Sequence, residues 1–375
     1  MSPSPGHPNL ERTPPVWAGC DLVAWWRLLA RNGFVVHRSR WRLAAIATIS
    51  SSVQSALGLA QRVLYGGRID HTPVRNGPVF ILGHWRSGTT LLHELLACDP
   101  RHAWPSTYDC FNPHHFLLTR PWLPGLLQRF APARRPMDAM MAGWDRPQED
   151  EFALALLGQP SPYERIAFPE RAGAGDAALD LRGLPPRVIR AWGRAFCRLV
   201  RALTLANGGR RLILKSPPHT ARIPILLGLF PEARLVHVVR DPYAVYSSTL
   251  HLWRVLFASQ GLQRSSWAGL PEYILDTFSR MYRALEDAHD LVPRGRFHEL
   301  RYEDLVQNPV AQLEMIYREL DLGDFEPARQ SVAKYLAEVK GHEAGTHVLT
   351  AEEFRAINDR WGALFRQYGY PMRAE

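Results

Sequence analysis

Residues 79–90, Val79-Phe80-Ile81-Leu82-Gly83-His84-Trp85-Arg86-Ser87-Gly88-Thr89-Thr90, constrain the fold of this 375-residue chain more than any other stretch. An apolar run enters a Gly-x4-Gly loop, and Leu91, Leu92, Leu95 and Leu96 follow at helical spacing. Strand, tight turn and helix N-terminus in that order gather backbone N–H groups at one point, where the helix dipole also favours negative charge. The spacing is that of a phosphate-binding loop, but the lysine such loops carry is missing. Thr89 holds its place, and Arg86 offers a cation from inside the loop. A glycine turn made for packing alone is the plainer alternative.

Two further segments have matching chemistry. Arg234-Leu-Val-His-Val-Val-Arg240 reads as a buried parallel strand ended by a cation. Asp241-Pro242 then caps and opens a helix that carries Ser247 and Ser248. Arginine grips phosphate bidentately, and a hydroxyl near a helix start donates once more; a surface turn at Arg240-Asp241 is the alternative. Arg211-Leu-Ile-Leu-Lys215 is another short strand, and Pro217-Pro218 forces the chain to turn after it. Lysine is rare here: Lys215, Lys334 and Lys340 are the only lysines among 45 cationic side chains. A compact, mobile ammonium at a strand end suits charge that develops on a departing oxygen, whereas a solvated surface lysine would need no such reason.

Taken together, these segments resemble the sulfotransferases that use 3′-phosphoadenosine 5′-phosphosulfate (PAPS), with the loop closest to bacterial members and to tyrosine-protein sulfotransferases. The resemblance spans roughly residues 78–320 and is strongest at the loop and at Arg240/Ser248. It implies that Arg86, Ser87, Gly88, Thr89 and Thr90 cradle the phosphosulfate, that Arg240 and Ser248 hold the 3′-phosphate, and that Lys215 stands beside the sulfuryl group. It also brings Tyr302, in Tyr302-Glu303-Asp304-Leu305, near the adenine, and makes Lys340-Gly341 a weak match to a 3′-phosphate clamp. Three positions depart from the pattern. The catalytic histidine of cytosolic members falls on Pro217 here, with His219 two residues on. The glutamate of the tyrosine-protein enzymes falls in Ser106-Thr107-Tyr108-Asp109, and the adenine-stacking tryptophan is Leu91.

The base is therefore sought in Glu149-Asp150-Glu151, which resembles a Pro-x-Glu segment of bacterial relatives. Glu149 is the first choice, with crowding of three carboxylates raising at least one pKa. His219, Asp109 and His114/His115 are the fallbacks. The alternative makes the triplet only an acidic helix start, in which Asp150 and Glu151 contribute a few tenths to 1 kcal/mol through the macrodipole.

A net charge of +9 suits a polyanionic co-substrate and anionic surfaces. It would also fit nucleic acid, but no zinc spacing, RNP-like motif or recognition-helix pattern accompanies it. Cys20, Cys98, Cys110 and Cys197 lack any CxxC and read as reduced thiols of a cytoplasmic protein, and no metal is implied. Residues 1–15, rich in Pro, Ser and Gly, read as disordered.

Residues 16–70 read as a mostly helical extension. The uncharged stretch 43–61 raises the question of a membrane span, but four serines, two glutamines and a threonine dilute it. Ile46, Ile49, Val53, Leu57 and Leu64 fall on one helical face, and Trp25, Trp26, Trp41 and several arginines flank it. Peripheral contact with the inner face of a membrane is one expectation. A hairpin packed on the catalytic domain, or a homodimer contact, is the other.

Residues 71–375 read as the sulfotransferase domain, a three-layer α/β/α fold around a parallel sheet with its ligands at the strand carboxyl ends. Strands are expected at 78–82, 211–215, 234–239 and from Phe297, with helices at 186–206, 221–229 and 242–257. The irregular, aromatic-rich stretch 103–190 is expected to wall a substrate pocket. The expected activity is sulfuryl transfer from PAPS to a hydroxyl of a small or lipid-like acceptor. A P-loop kinase or nucleotidase is the rival, and a non-catalytic nucleotide-binding protein at a membrane surface is a third reading.

Overall fold

The computed structural model describes residues 15–127, 143–171, 173, 175–338 and 348–373. All but the last residue of the Pro/Ser/Gly-rich leader, and the Lys340-Gly341 pair, lie outside the described residues. The elements used below are α1 (Leu22–Arg31), α2 (Trp41–His71), β1 (Val79–Leu82), α3 (Thr89–Ala97), β2 (His102–Ala103), α4 (Asp150–Leu156), α5 (Pro186–Ala206), β3 (Arg211–Lys215), α6 (Ile223–Leu229), β4 (Arg234–Val239), α7 (Pro242–Gln260), α8 (Leu270–His289), β5 (Phe297–Arg301), α9 (Pro309–Glu319), α10 (Glu326–Glu338) and α11 (Ala351–Tyr368).

Successive side chains of a strand point to opposite faces, so a strand with no polar alternation must be covered on both. Strand β1 behaves in this way. Phe80 and Leu82 enter one core with Leu212, Leu214 and Leu235, while Val79 and Ile81 enter a second with Ile213, Val236 and Val238. The first core is closed by α5, α7, α8 and α11, through residues such as Phe196, Trp253, Phe278 and Trp361. The second is closed by α3, α9 and α10, through Leu92, Leu95, Ile316 and Val332. The result is the expected three-layer arrangement around a parallel sheet of order β2-β3-β1-β4-β5.

That order positions the site. β1 lies between β3 and β4, and the register pairs Ile81 with Lys215 and Leu82 with His237. The carboxyl ends of all three strands therefore finish side by side. Arg240 follows directly on the last residue of β4. Strands β3 and β4 and helix α5 have the expected bounds, whereas α7 runs on to Gln260. The helix expected from Ala221 starts at Ile223, because Pro217–Ala221 forms a 3-10 turn first. Strand β2, a two-residue partner at the edge of β3, has no periodicity to reveal it.

The N-terminal helices share the first core. Asp21 caps α1 by accepting from Ala24 N, and Trp17, Trp25 and Leu29 are buried among the residues of the sheet face. Helix α2 packs in the opposite sense to the one expected of a hairpin. Thr48, Ser50, Gln54, Ser55 and Gln61 hydrogen-bond to the rest of the protein, with Ala47 and Ile69 buried beside them, whereas Ile46, Ile49, Val53 and Leu64 are exposed and Leu57 is half-buried.

Candidate active site

The loop after β1 needs its glycines. Gly83 has φ +143°, and a Cβ there would lie 2.5 Å from Ser87 Oγ and 2.8 Å from Val238 O. Gly88 has φ +100°, and a Cβ there would lie 2.1 Å from the Tyr302 ring. Gly88 is also the N-cap of α3 with no side-chain cap, so the first-turn N–H groups face the loop without a capping acceptor. Ser87 is fully buried, and both its hydroxyl and its N–H donate to His84 O, at 2.8 Å and 3.1 Å. Its side chain closes the turn from inside, so that any contact of Ser87 with an anion falls to the backbone. Thr89 is buried, and Thr90 Oγ1 accepts from Lys215 Nζ at 3.4 Å.

Arg86 adopts a left-handed backbone, φ +70°, which a side-chain-bearing residue holds only when its surroundings enforce it. The enforcing contacts come from β4 and α7. Arg240 Nη1 donates to Arg86 O at 3.0 Å, and Arg86 Nε donates to Ser248 Oγ at 2.8 Å. The Arg240 guanidinium lies 4.3 Å from the centre of the Tyr302 ring, which itself packs over Gly88. Arg86, Arg240, Ser248 and Tyr302, far apart in sequence, thus form one cationic floor around the loop.

The acidic triplet is positioned by an edge contact. Ser106 and Pro147 form an isolated bridge, and Gln148 N donates to Pro105 O at 2.9 Å, which delivers Glu149–Glu151 to the end of β3. There each carboxylate meets a different basic side chain. Glu149 accepts from Lys215 Nζ at 2.7 Å, Asp150 from His219 Nε2 at 2.6 Å, and Glu151 from Arg222 in a two-pronged contact of 2.6 Å and 3.1 Å. Crowding therefore does not govern these acids. Burial alone would raise the Asp150 pKa, but His219 and further hydrogen bonds hold it below the ordinary value. The Asp150 and Glu151 pairs are fully buried, and so these two acids do far more than start a helix.

The fallback bases are occupied elsewhere. His219 is sealed between the Phe80 and Phe196 rings, at 5.4 Å and 5.3 Å, with Asp150 on Nε2. Asp109 completes a capping box with Ser106 and is buried. His115 is buried against Thr119, and His114 contacts Leu156 O and the Asp21 backbone.

Two residues that drew no attention in the sequence complete the site. Tyr163, buried, donates its hydroxyl to Glu149 Oε2 and accepts from Trp85 Nε1 at 3.1 Å. Burial first, then the adjacent Glu149 charge, pushes the Tyr163 phenol far above its usual pKa and keeps it a donor. Trp85 belongs to the loop itself, so Glu149 and the loop are joined through one phenol. Tyr163 has no motif around it to announce the role.

A model of the sulfotransferase family matches residues 78–327, two-thirds of the chain. The chain belongs to the sulfotransferase family. Over 360 residues, 96% of the chain and 92% of the relative, it is 43% identical to the omega-hydroxy-beta-dihydromenaquinone-9 sulfotransferase Stf3 of Mycobacterium tuberculosis and of Mycobacterium bovis. Among solved structures, sulfotransferase STF9 from Mycobacterium avium aligns with a TM-score of 0.68, covering 95% of this chain and 98% of that one at 18% identity. Sulfotransferase STF1 from Mycobacterium tuberculosis aligns at 0.60, covering 92% and 88% at 21% identity. These two likenesses bear on the fold.

In this sulfotransferase the triplet should divide cleanly by variant. Glu149→Gln should lower turnover by about two to four orders of magnitude, with a smaller loss of stability than Glu151→Gln because Glu149 is the less buried of the two acids. Glu151→Gln strands a buried guanidinium and should cost about 3–5 kcal/mol in denaturant unfolding. Stability equal to that of the unaltered protein would return Glu151 to a helix-start role.

Tyr163→Phe removes the donor to Glu149 and leaves the ring. Turnover should fall by about tenfold, roughly 1.4 kcal/mol, with KM for the sulfuryl donor unchanged. A rise in KM with unchanged turnover would instead place Tyr163 in donor binding.

Proposed function

We propose that the chain transfers a sulfuryl group from PAPS to the terminal hydroxyl of a lipid acceptor, with an ω-hydroxylated isoprenoid quinone of the menaquinone class as the first acceptor to try. The donor reading rests on the meeting of Arg86, Lys215 and Arg240 around an uncapped helix start, with one carboxylate, Glu149, at their edge. PAPS supplies the transferable sulfuryl group. Arg240 and Ser248 suit its 3′-phosphate, the loop and Arg86 its 5′-phosphosulfate, and the Tyr302 face its adenine. A sulfuryl group carries less charge than a phosphoryl group, so fixed cations and amides can stand where phosphoryl transfer uses magnesium. The acceptor reading is supported by identity to the menaquinone-class enzyme along nearly the whole chain.

The chemistry follows from the pair at the strand end. Glu149 has two carboxylate oxygens and about four lone-pair sites. One oxygen is engaged by Lys215 and the other by Tyr163, which leaves capacity on each for a proton. Glu149 takes the proton of the acceptor hydroxyl as its oxygen bonds to sulfur and the bond from sulfur to the phosphate oxygen breaks. Lys215 lies between Glu149 and Thr90 of the loop, within reach of the departing oxygen's charge, and Arg86 and the loop amides share that charge. The rival kinase reading has little support: Thr89 is buried where a nucleoside triphosphatase presents lysine. The non-catalytic reading requires that no acid reach this site, and Glu149 reaches it.

A cytoplasmic location, at the inner face of a membrane, would bring the enzyme to both a soluble nucleotide donor and a lipid acceptor. The four cysteines are free, in keeping with that compartment.

The melting temperature should rise with 3′,5′-bisphosphoadenosine and far less with magnesium-ATP, each tenfold preference being about 1.4 kcal/mol. Stronger stabilisation by magnesium-ATP would replace the donor reading with the kinase. Arg240→Ala should weaken binding of the bisphosphate by roughly 2 kcal/mol or more, because its charged partner is lost. Lys215→Ala should lower turnover more than donor affinity; full turnover in that variant would remove Lys215 from the mechanism.

A further inference from the structure

Helix α2 is built inside out. Its inner side sets a row of hydrogen-bonding side chains beside the buried Ala47 and Ile69: Thr48 Oγ1 accepts from Trp25 Nε1 at 2.9 Å, Ser50 donates to Ala18 O at 2.7 Å, and Gln61 donates to His114 O at 2.9 Å and accepts from Leu118 N at 3.2 Å. Its outer side is apolar. Trp41, Ile46, Val53, Leu59 and Leu64 are exposed, with Ile49 at 71% and Val63 at 76%. A helix packed by the hydrophobic effect alone would turn the other way. Of the seventeen large exposed hydrophobic residues among the described ones, eleven fall between Val23 and Leu64. A contiguous patch of this kind marks an interaction surface.

The charge around the patch identifies what covers it. Between Asp21 and Asp70 the sequence has seven arginines and no acid. Helix α5, packed beside the C-terminal half of α2, adds Arg190, Arg194 and Arg201 along an open groove with Ile189 and Leu229 in its floor. Trp26 and Trp41 are exposed at the α1 end, and Trp26 lies 6.2 Å from the Phe34 ring. Aromatic rings with a polar edge and long arginine stems suit the boundary between lipid headgroups and acyl chains.

We infer that the outer face of α2, with the exposed edge of α1 and the arginine row of α5, docks the protein flat on an anionic lipid bilayer. Helix α2 is long and apolar enough to cross a membrane by composition. Its hydrogen-bonded inner face holds it against the protein instead, so the helix lies in the interface and does not span it. A second copy of the chain is a poorer occupant, because joining two such faces would oppose two arginine-rich surfaces whose nearby acids, Asp70 and Glu164, are already paired with Arg198 and Arg31. The surface also bears on the active site. α1 packs on the segment that carries Tyr163: Arg31 pairs with Glu164, and the space beside Gly158 is filled by Ala24.

The test uses the full chain and sedimentation with vesicles of phosphatidylcholine alone or mixed with phosphatidylglycerol. Binding should be at least tenfold tighter to the mixed vesicles and should weaken as salt rises. Ile49→Glu and Val63→Glu, each at an exposed position, should lower that binding at least tenfold while leaving the melting temperature and bisphosphate binding unchanged. Equal binding to both vesicle types, or none to either, overturns the inference. So does a dimer by light scattering that becomes monomeric in the two variants without any loss of vesicle binding. The bisphosphate melt involves neither lipid nor these residues, so failure of docking leaves the donor reading standing, and failure of the donor reading leaves docking standing.

Discussion

The site depends on three consecutive carboxylates meeting three basic side chains from one short segment. Glu149, Asp150 and Glu151 leave the chain in different directions, and Lys215, His219 and Arg222 receive them. The two inner pairs are sealed from water, where an uncompensated charge is intolerable, so they fix the docking of α4 against the end of β3. Only the outermost pair opens to the cleft. Asp150 and Glu151 thus make the scaffold that holds Glu149 at one place. Without that anchoring, Glu149 would ride on a surface loop.

The sheet supplies the other half of the geometry. Parallel register sets the ends of β3, β1 and β4 side by side, so that Lys215, the loop with Arg86, and Arg240 converge without any local sequence linking them. Arg240 then supports the Arg86 carbonyl and Ser248 its side chain, and the Tyr302 ring fills the space that Gly88 leaves.

Much of this was legible in the sequence, for a physical reason. Strands β1, β3 and β4 are covered on both faces and so read as apolar runs, and the residues at their ends read as exceptions to those runs. The glycines of the loop are legible because their backbone geometry admits little else. Tyr163 was not: one tyrosine among twelve, it acquires its role only when the fold brings it under Glu149. The partners of Asp150 and Glu151 were missed because an acid in a first helical turn has a sufficient local explanation, and burial is a property of tertiary packing. The apolar stripe of α2 was read correctly as a face. Its direction was not legible, since helical periodicity says which residues lie together but not which side meets the protein.

The left-handed backbone of Arg86 has a consequence for ligand entry. A free arginine loses about 2 kcal/mol of rotamer entropy when a ligand immobilises it. Here the residue is already engaged, its carbonyl by Arg240 and its side chain by Ser248. The ordering cost falls on folding and not on association, so an arriving anion meets a cation whose direction is already chosen. The same rigidity narrows what can bind: an anion whose charge sits elsewhere gains nothing from a guanidinium that cannot follow it.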